Sequence, residues 1–156
     1  MIPAPVETYL REHHLPYEHH VHARAIPAQM FAAAEHVSGS RVAKPVVVTL
    51  DGHQAIAVVS AMEKLDLDAL ARSTGAREVR LVPEAVFAEK FWPCEAGAEP
   101  PLGMFGLPIY VDAELAREPF LVMRGGTHED SIQVETRAWM KSEAARPVPG
   151  LALASH

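Results

Sequence analysis

Three segments hold side chains or backbone suited to chemistry. The first is Val42-Ala43-Lys44-Pro45-Val46-Val47-Val48-Thr49-Leu50, where one lysine falls inside the most strand-like apolar run of the chain. An ammonium in a strand of β-branched residues is costly to bury without a partner or ligand. Pro45 cannot donate a ladder hydrogen bond, so this end of the strand is expected at an edge, a bulge or a cleft mouth. A cation there suits a phosphate or a developing negative charge, and the plain alternative is a lysine whose head snorkels to water. The second segment is Gly97-Ala98-Glu99-Pro100-Pro101-Leu102-Gly103. Its glycines let backbone approach a ligand and its prolines stiffen it, so it can offer main-chain amides to an ester carbonyl; a Pro/Gly surface turn has the same composition. The third is Arg124-Gly125-Gly126-Thr127-His128 between two strands, where His128 can serve as a general acid or base, touch a ligand, or be ordinary surface.

Other chemistries find less support. His13, His14, His19, His20 and His22 cluster, and on a strand His20 and His22 share a face. Zinc needs a third and fourth ligand, and no HExxH or His/Cys spacing supplies them, so no metal and no other cofactor is expected. Cys94 has no adjacent cation to lower its pKa. No GxSxG, GxxxxGK[ST] or GxGxxG occurs, which leaves serine hydrolysis and P-loop chemistry unsupported.

The elements that must position these segments fit one domain of 156 residues. Net charge is −6 and no run of Lys or Arg exceeds isolated pairs, which disfavours a protein that grips a long DNA backbone. Recognition of a single nucleic-acid end, needing a few local cations, is not disfavoured. No stretch reaches the roughly 18 apolar residues of a membrane span, and the start lacks the basic and apolar regions of a signal peptide. With one cysteine, these points favour a cytoplasmic setting.

Residues 5–14 read as a helix with Val6, Tyr9 and Leu10 on one face and Pro16 beyond its end. Residues 17–22 alternate as a strand, and 27–37 read as an Ala-rich helix with Pro at its start. Strands follow at 42–50 and 54–60, joined by the hairpin signal Asp51-Gly52. A helix over 65–73 closed by Gly75, a strand over 77–81 and a helix over 83–91 come next. Residues 92–106 cannot be regular throughout. Strands at 109–111, 120–123 and 131–135 precede a short helix from Trp139. The pattern predicts an α+β fold with a mixed, largely antiparallel sheet. The domain is expected to span 1–146, with 147–156 a tail frayed at Pro147-Val148-Pro149-Gly150.

In order and spacing, the lysine strand, the 97–103 loop, Leu107-Pro108-Ile109-Tyr110-Val111-Asp112, and Gly125-Gly126-Thr127-His128 with Ser131-Ile132 resemble the YbaK/EbsC family. The likeness spans roughly residues 5–138. That family shares its fold with the editing domain inserted in bacterial prolyl-tRNA synthetases. The resemblance implies a partly barrel-like sheet with surrounding helices and a free-standing deacylase that cleaves the ester of mischarged aminoacyl-tRNA. Lys44 matches the family's active-site lysine, expected to hold the terminal adenosine or phosphate. Gly97 and Pro101 match the ends of its GxxxP loop, whose backbone contacts the ester and helps place the attacking water. Gly126 and His128 fall in the turn that closes the amino-acid pocket. Gly103 and Met30 join the substrate-binding candidates; Met30, Ile56, Val58 and Met123 would line a pocket or equally form plain core. Two departures stand out: Ala25-Ile26-Pro27 where the family often has Ser or Thr, and an acidic Glu99 inside the loop.

The expected function is trans-editing of a tRNA carrying a small amino acid of the Ala, Ser or Thr class. The competing reading is a non-catalytic module that binds a nucleotide end or a protein, and a His-metal hydrolase is a third. Expected partners are the aminoacyl-tRNA 3′ end and an aminoacyl-tRNA synthetase, with neither DNA nor membrane, in a monomer or weak homodimer.

Overall fold

Asp51 and Gly52 set the register of the central hairpin. In the computed structural model, which describes residues 1–24 and 38–154, both take left-handed backbone (φ 50° and 87°). That geometry matches the twist of the flanking strands. It joins β2 (Ala43–Leu50) to β3 (His53–Ser60), paired from Leu50–His53 to Ala43–Ser60. The Asp51 carboxylate accepts the N–H groups of Arg77 and Glu78 at 3.0 and 2.9 Å. This leads β5 (Val79–Leu81) antiparallel onto the free side of β2. β6 (Ile109–Asp112) runs parallel to β3, and β9 (Arg146–Val148) parallel to β6, giving the order β5-β2-β3-β6-β9.

A second sheet is antiparallel, with β8 (Asp130–Glu135) between β1 (Tyr17–Val21) and β7 (Phe120–Arg124). One parallel bridge, Val42 to Val122, fastens the start of β2 to the middle of β7. Side chains alternate across β2 and β3. Ala43, Val47, Ile56 and Val58 face a core shared with Leu121, Met123, Ile132 and Val134 of the second sheet. Val48, Ala55, Ala57 and Val59 face the other way, toward Leu70, Val148 and Leu151. Ile56, Val58 and Met123 are thus fully buried core rather than pocket wall.

The helices follow their local signals. α1 (Ala4–Glu12) buries Val6 and Leu10 completely. α2 (Leu67–Thr74) starts where Asp66 accepts the Ala69 N–H at 3.1 Å and ends at left-handed Gly75. Its start is two residues later than the apolar pattern suggests, because 63–65 form β4 (Glu63–Leu65) instead. α3 (Glu84–Phe87) tightens into a 3-10 turn over Ala88–Phe91, and α4 (Thr136–Glu143) follows β8 directly. The helix expected over 27–37, the Ala25-Ile26-Pro27 departure and Met30 lie outside the described residues.

The tail differs from expectation. Residues 146–148 are β9, and β10 (Ala152–Ala154) pairs antiparallel with β4. Pro147 reads as a breaker, yet β9 is the last strand of its sheet, where a missing N–H costs no ladder bond. Val148 and Leu151 seal the second face of the sheet at 2% and 0% exposure. Leu151→Ala should therefore cost about 2–5 kcal/mol in urea unfolding; a loss within about 0.5 kcal/mol, as for ordinary surface positions, would mean the tail is not part of the core.

Candidate functional site

The proline-rich loop and the Gly-Gly turn are one structure. Glu95 N–H donates to the Gly126 carbonyl at 2.8 Å, and Gly126 N–H donates to the Ala98 carbonyl at 2.9 Å. The Glu95 carboxylate accepts the His128 N–H at 3.1 Å. His128 Nε2 donates to the Ala96 carbonyl at 2.8 Å. Gly126 has φ 102°, and a Cβ there would stand 2.7 Å from Pro3 Cδ and 3.3 Å from Cys94 Sγ. Only glycine lets the two segments close. Gly97 crowns the clasp, exposed and left-handed (φ 80°), with the place of its absent Cβ 3.0 Å from Glu84 Oε1 and 3.6 Å from His128 Cε1. Pro101 anchors the far end, buried, its carbonyl accepting the Trp139 indole N–H at 2.9 Å.

His128 is a strut rather than a proton carrier. It is 3% exposed. The bond to Ala96 assigns the proton to Nε2, and Nδ1 then accepts from Arg124 Nη1 at 3.2 Å. The general acid/base reading of His128 is therefore set aside.

Arg124 and Glu99 are the charged groups buried beside this histidine. Burial pushes the Arg124 guanidinium down to about 10, opposed by the nearby Glu99 charge. Burial likewise pushes the Glu99 carboxyl up to about 7, against the pull of the Glu99 and Gly97 N–H groups. Cys94 is pushed up to about 12 by burial and then by Glu99, so it stays a thiol.

The structure does not gather every sequence candidate. Lys44 is half-buried, and its Nζ donates to the Glu63 carbonyl at 2.5 Å. Burial lowers its pKa while Glu63 opposes. The backbone relates it to the clasp. Val42 and Val122 pair in parallel register, so Lys44 and Arg124, two residues further along each strand, leave on the same side of the joined sheets. Gly103 stands apart: its N–H is taken by Glu143 Oε1 at 2.7 Å, beside Tyr9. The histidines disperse too. His19 Nε2 meets Asp130 Oδ1 at 2.6 Å, His20 lies 3.6 Å from Glu18, and His22 Nδ1 meets the Ala23 carbonyl. Among the described residues, no three His, Cys, Asp or Glu side chains converge as metal ligands.

An apolar groove of about 420 Å³ runs between Tyr17, Phe120, Val134 and Ala138. Glu18, Gln133 and Glu135 also line it, and none of the clasp residues does.

A family model described as the aminoacyl-tRNA editing domain matches residues 22–142. The chain belongs to the aminoacyl-tRNA editing domain family. The match takes in Lys44, the whole clasp and Arg124. No curated protein matches the chain in sequence. Among solved structures, a protein proposed to be a trans-editing enzyme for prolyl-tRNA synthetase shares 22% identity at TM-score 0.79, covering 97% of this chain and 95% of its own. A hypothetical protein of known crystal structure gives TM-score 0.84 at 18% identity, over 95% and 99%. A proposed signal transduction protein from Marinobacter aquaeolei VT8 gives 0.75 at 18% identity, over 98% of this chain but 31% of that one. At these identities the structural likenesses establish the fold, the α+β arrangement of YbaK-like structures.

Sequence reasoning passed over Glu95 and Asp130, which hold the editing domain's turn in place. Asp130 is fully buried. It accepts from the Met1 ammonium at 2.7 Å, Thr127 Oγ1 at 2.5 Å and His19. The T-x-x-D spacing of Thr127 and Asp130 was the one local signal available. Burial opposes ionisation of Asp130, but these donors outweigh it and hold its pKa at about 2. A depressed carboxylate pKa stabilises the fold above the ordinary value near 4, and that contribution is lost as pH falls toward 2. Asp130→Asn should therefore cost about 2 kcal/mol at pH 7, with about 1 kcal/mol of the difference gone by pH 3 in paired urea titrations. An equal difference at both pH values would contradict the assignment.

Proposed function

We propose that this chain hydrolyses the ester of mischarged aminoacyl-tRNA in trans, on a tRNA carrying a small amino acid of the Ala, Ser or Thr class. The observation that carries the reading is the clasp: an exposed, left-handed Gly97 presented on a loop tied down on both sides, in a chain of the editing family. An aminoacyl ester is already activated, so its hydrolysis asks mainly for a placed water and a stabilised oxyanion rather than a nucleophilic side chain. A rigid backbone edge without a side chain suits that task.

In this reading Gly97 and Pro101 bound the edge that meets the ester. Gly126 and His128 hold it closed against the turn. Lys44 has three N–H donors, one of which goes to Glu63, and as a compact cation it binds the terminal phosphate or adenosine of the tRNA. It orients the substrate and does not attack it. A separate editing site is useful because an apolar pocket discriminates one methylene by only about 1–3 kcal/mol. With a net charge of −6 the protein gains little long-range attraction to tRNA, which makes a synthetase that delivers the substrate a fitting partner.

Deacylation of a panel of mischarged tRNAs tests this. Wild type should release at least one small amino acid, unaffected by chelator. Lys44→Ala should lower kcat/KM at least about tenfold, equal to about 1.4 kcal/mol of transition-state stabilisation. Wild type that binds but never hydrolyses would favour the adaptor reading, chelator sensitivity a metal site, and undiminished turnover by Lys44→Ala would remove the lysine from the mechanism.

A further inference from the structure

We propose that Glu99 is the proton acceptor for the attacking water, a catalytic residue of the ester hydrolysis inferred above, on which this step rests. Glu99 is 4% exposed and lies between Gly97 and Pro101, and among the described residues its Oε2 has no hydrogen-bond partner. A buried carboxyl oxygen left unsatisfied is expensive, and such atoms in a folded protein call for an explanation. A water or substrate atom arriving at the clasp supplies one.

The neighbours narrow the choice. His128 has both ring nitrogens engaged, Cys94 stays a thiol, and Lys44 is turned to Glu63. Pro100 and Pro101 have no N–H to give. Among the described residues, the charged groups facing Glu99 are Glu84 from α3 and Arg124 from β7, with the Cys94 thiol beside them. Arg124 on that side repels a second cation, which weighs against Glu99 as a receptor for the substrate's α-ammonium. A pKa near 7 is matched instead to taking a proton and returning it at neutral pH. Glu84 stands on the exposed side of Gly97, and its negative charge helps keep Glu99 protonated.

The step balances. Glu99 carboxylate takes one proton from water as the water oxygen bonds to the ester carbonyl carbon. The tetrahedral intermediate collapses by breaking the bond from that carbon to the ribose oxygen, and Glu99 returns the proton to the departing ribose. Free amino acid and a tRNA hydroxyl result; the new carboxyl group gives its own proton to solvent. No oxidant, reductant or metal takes part.

The test is single-turnover deacylation from pH 5 to 9 on a mischarged tRNA, corrected for spontaneous hydrolysis. Wild type should show an ascending limb with its midpoint near pH 7. Glu99→Gln should lose that limb and about a hundredfold in rate, while Glu84→Gln should keep turnover and move the limb to lower pH. Folding of Glu99→Gln is checked by urea unfolding at pH 8. A carboxyl whose folded pKa is raised opposes folding once pH passes its ordinary value, so this variant should be no less stable than wild type there. Glu99→Gln that retains rate and limb overturns the proposal and leaves the editing reading intact. Abolition of the limb by Glu84→Gln instead would transfer the role to Glu84. Wild type inert on every mischarged tRNA would remove both readings.

Discussion

The site depends on four hydrogen bonds that tie residues 95–98 to residues 126–128. Without them the loop from Trp92 to Gly106 would pay a large conformational entropy to hold any one shape. With them, Gly97 is fixed in a left-handed conformation that glycine adopts without strain, and Glu99 is driven under the surface. Two of the bonds are purely backbone, so side-chain identity enters chiefly through what must be absent. Gly126 has to lack a Cβ because Pro3 and Cys94 occupy that space. Glu95 and His128 add the two bonds that do need particular side chains.

Burial beneath this clasp creates an unusual electrostatic pocket. Arg124, Glu99 and His128 are each under a tenth exposed. In water such groups would be a full cation, a full anion and a titrating imidazole. Here the guanidinium and the carboxyl are both pulled toward neutrality by desolvation, and the imidazole is locked in one tautomer by its two partners. The result is a rigid frame with one group poised to exchange a proton near pH 7. Lys44 leaves the neighbouring strand on the face it shares with Arg124.

Much of the frame was legible locally. Asp51-Gly52 announced the hairpin, Asp66 and Gly75 the ends of α2, and alternation the strands, because each of these is decided by a few adjacent residues. The tail was misread because Pro147 counts as a breaker only if the strand has neighbours on both sides, and sheet position is not a local property. Gly103 was grouped with Gly97 by sequence proximity, yet six residues of proline-stiffened loop carry it to Glu143. The role of His128 needed Arg124 and Ala96 in view, one from a strand and one from a distant loop. Glu99 was visible as an unusual residue in its loop, but its burial follows only from how that loop folds onto the turn.

The most direct measurement is a titration of isotope-labelled protein with an adenosine whose 3′ position carries the amino acid through an amide in place of the ester, read by amide chemical shifts. The clasp account predicts that the largest shifts fall at Gly97, Glu99, Gly126 and His128. Shifts confined to the apolar groove at Tyr17, Phe120 and Val134, with the clasp unmoved, would contradict it.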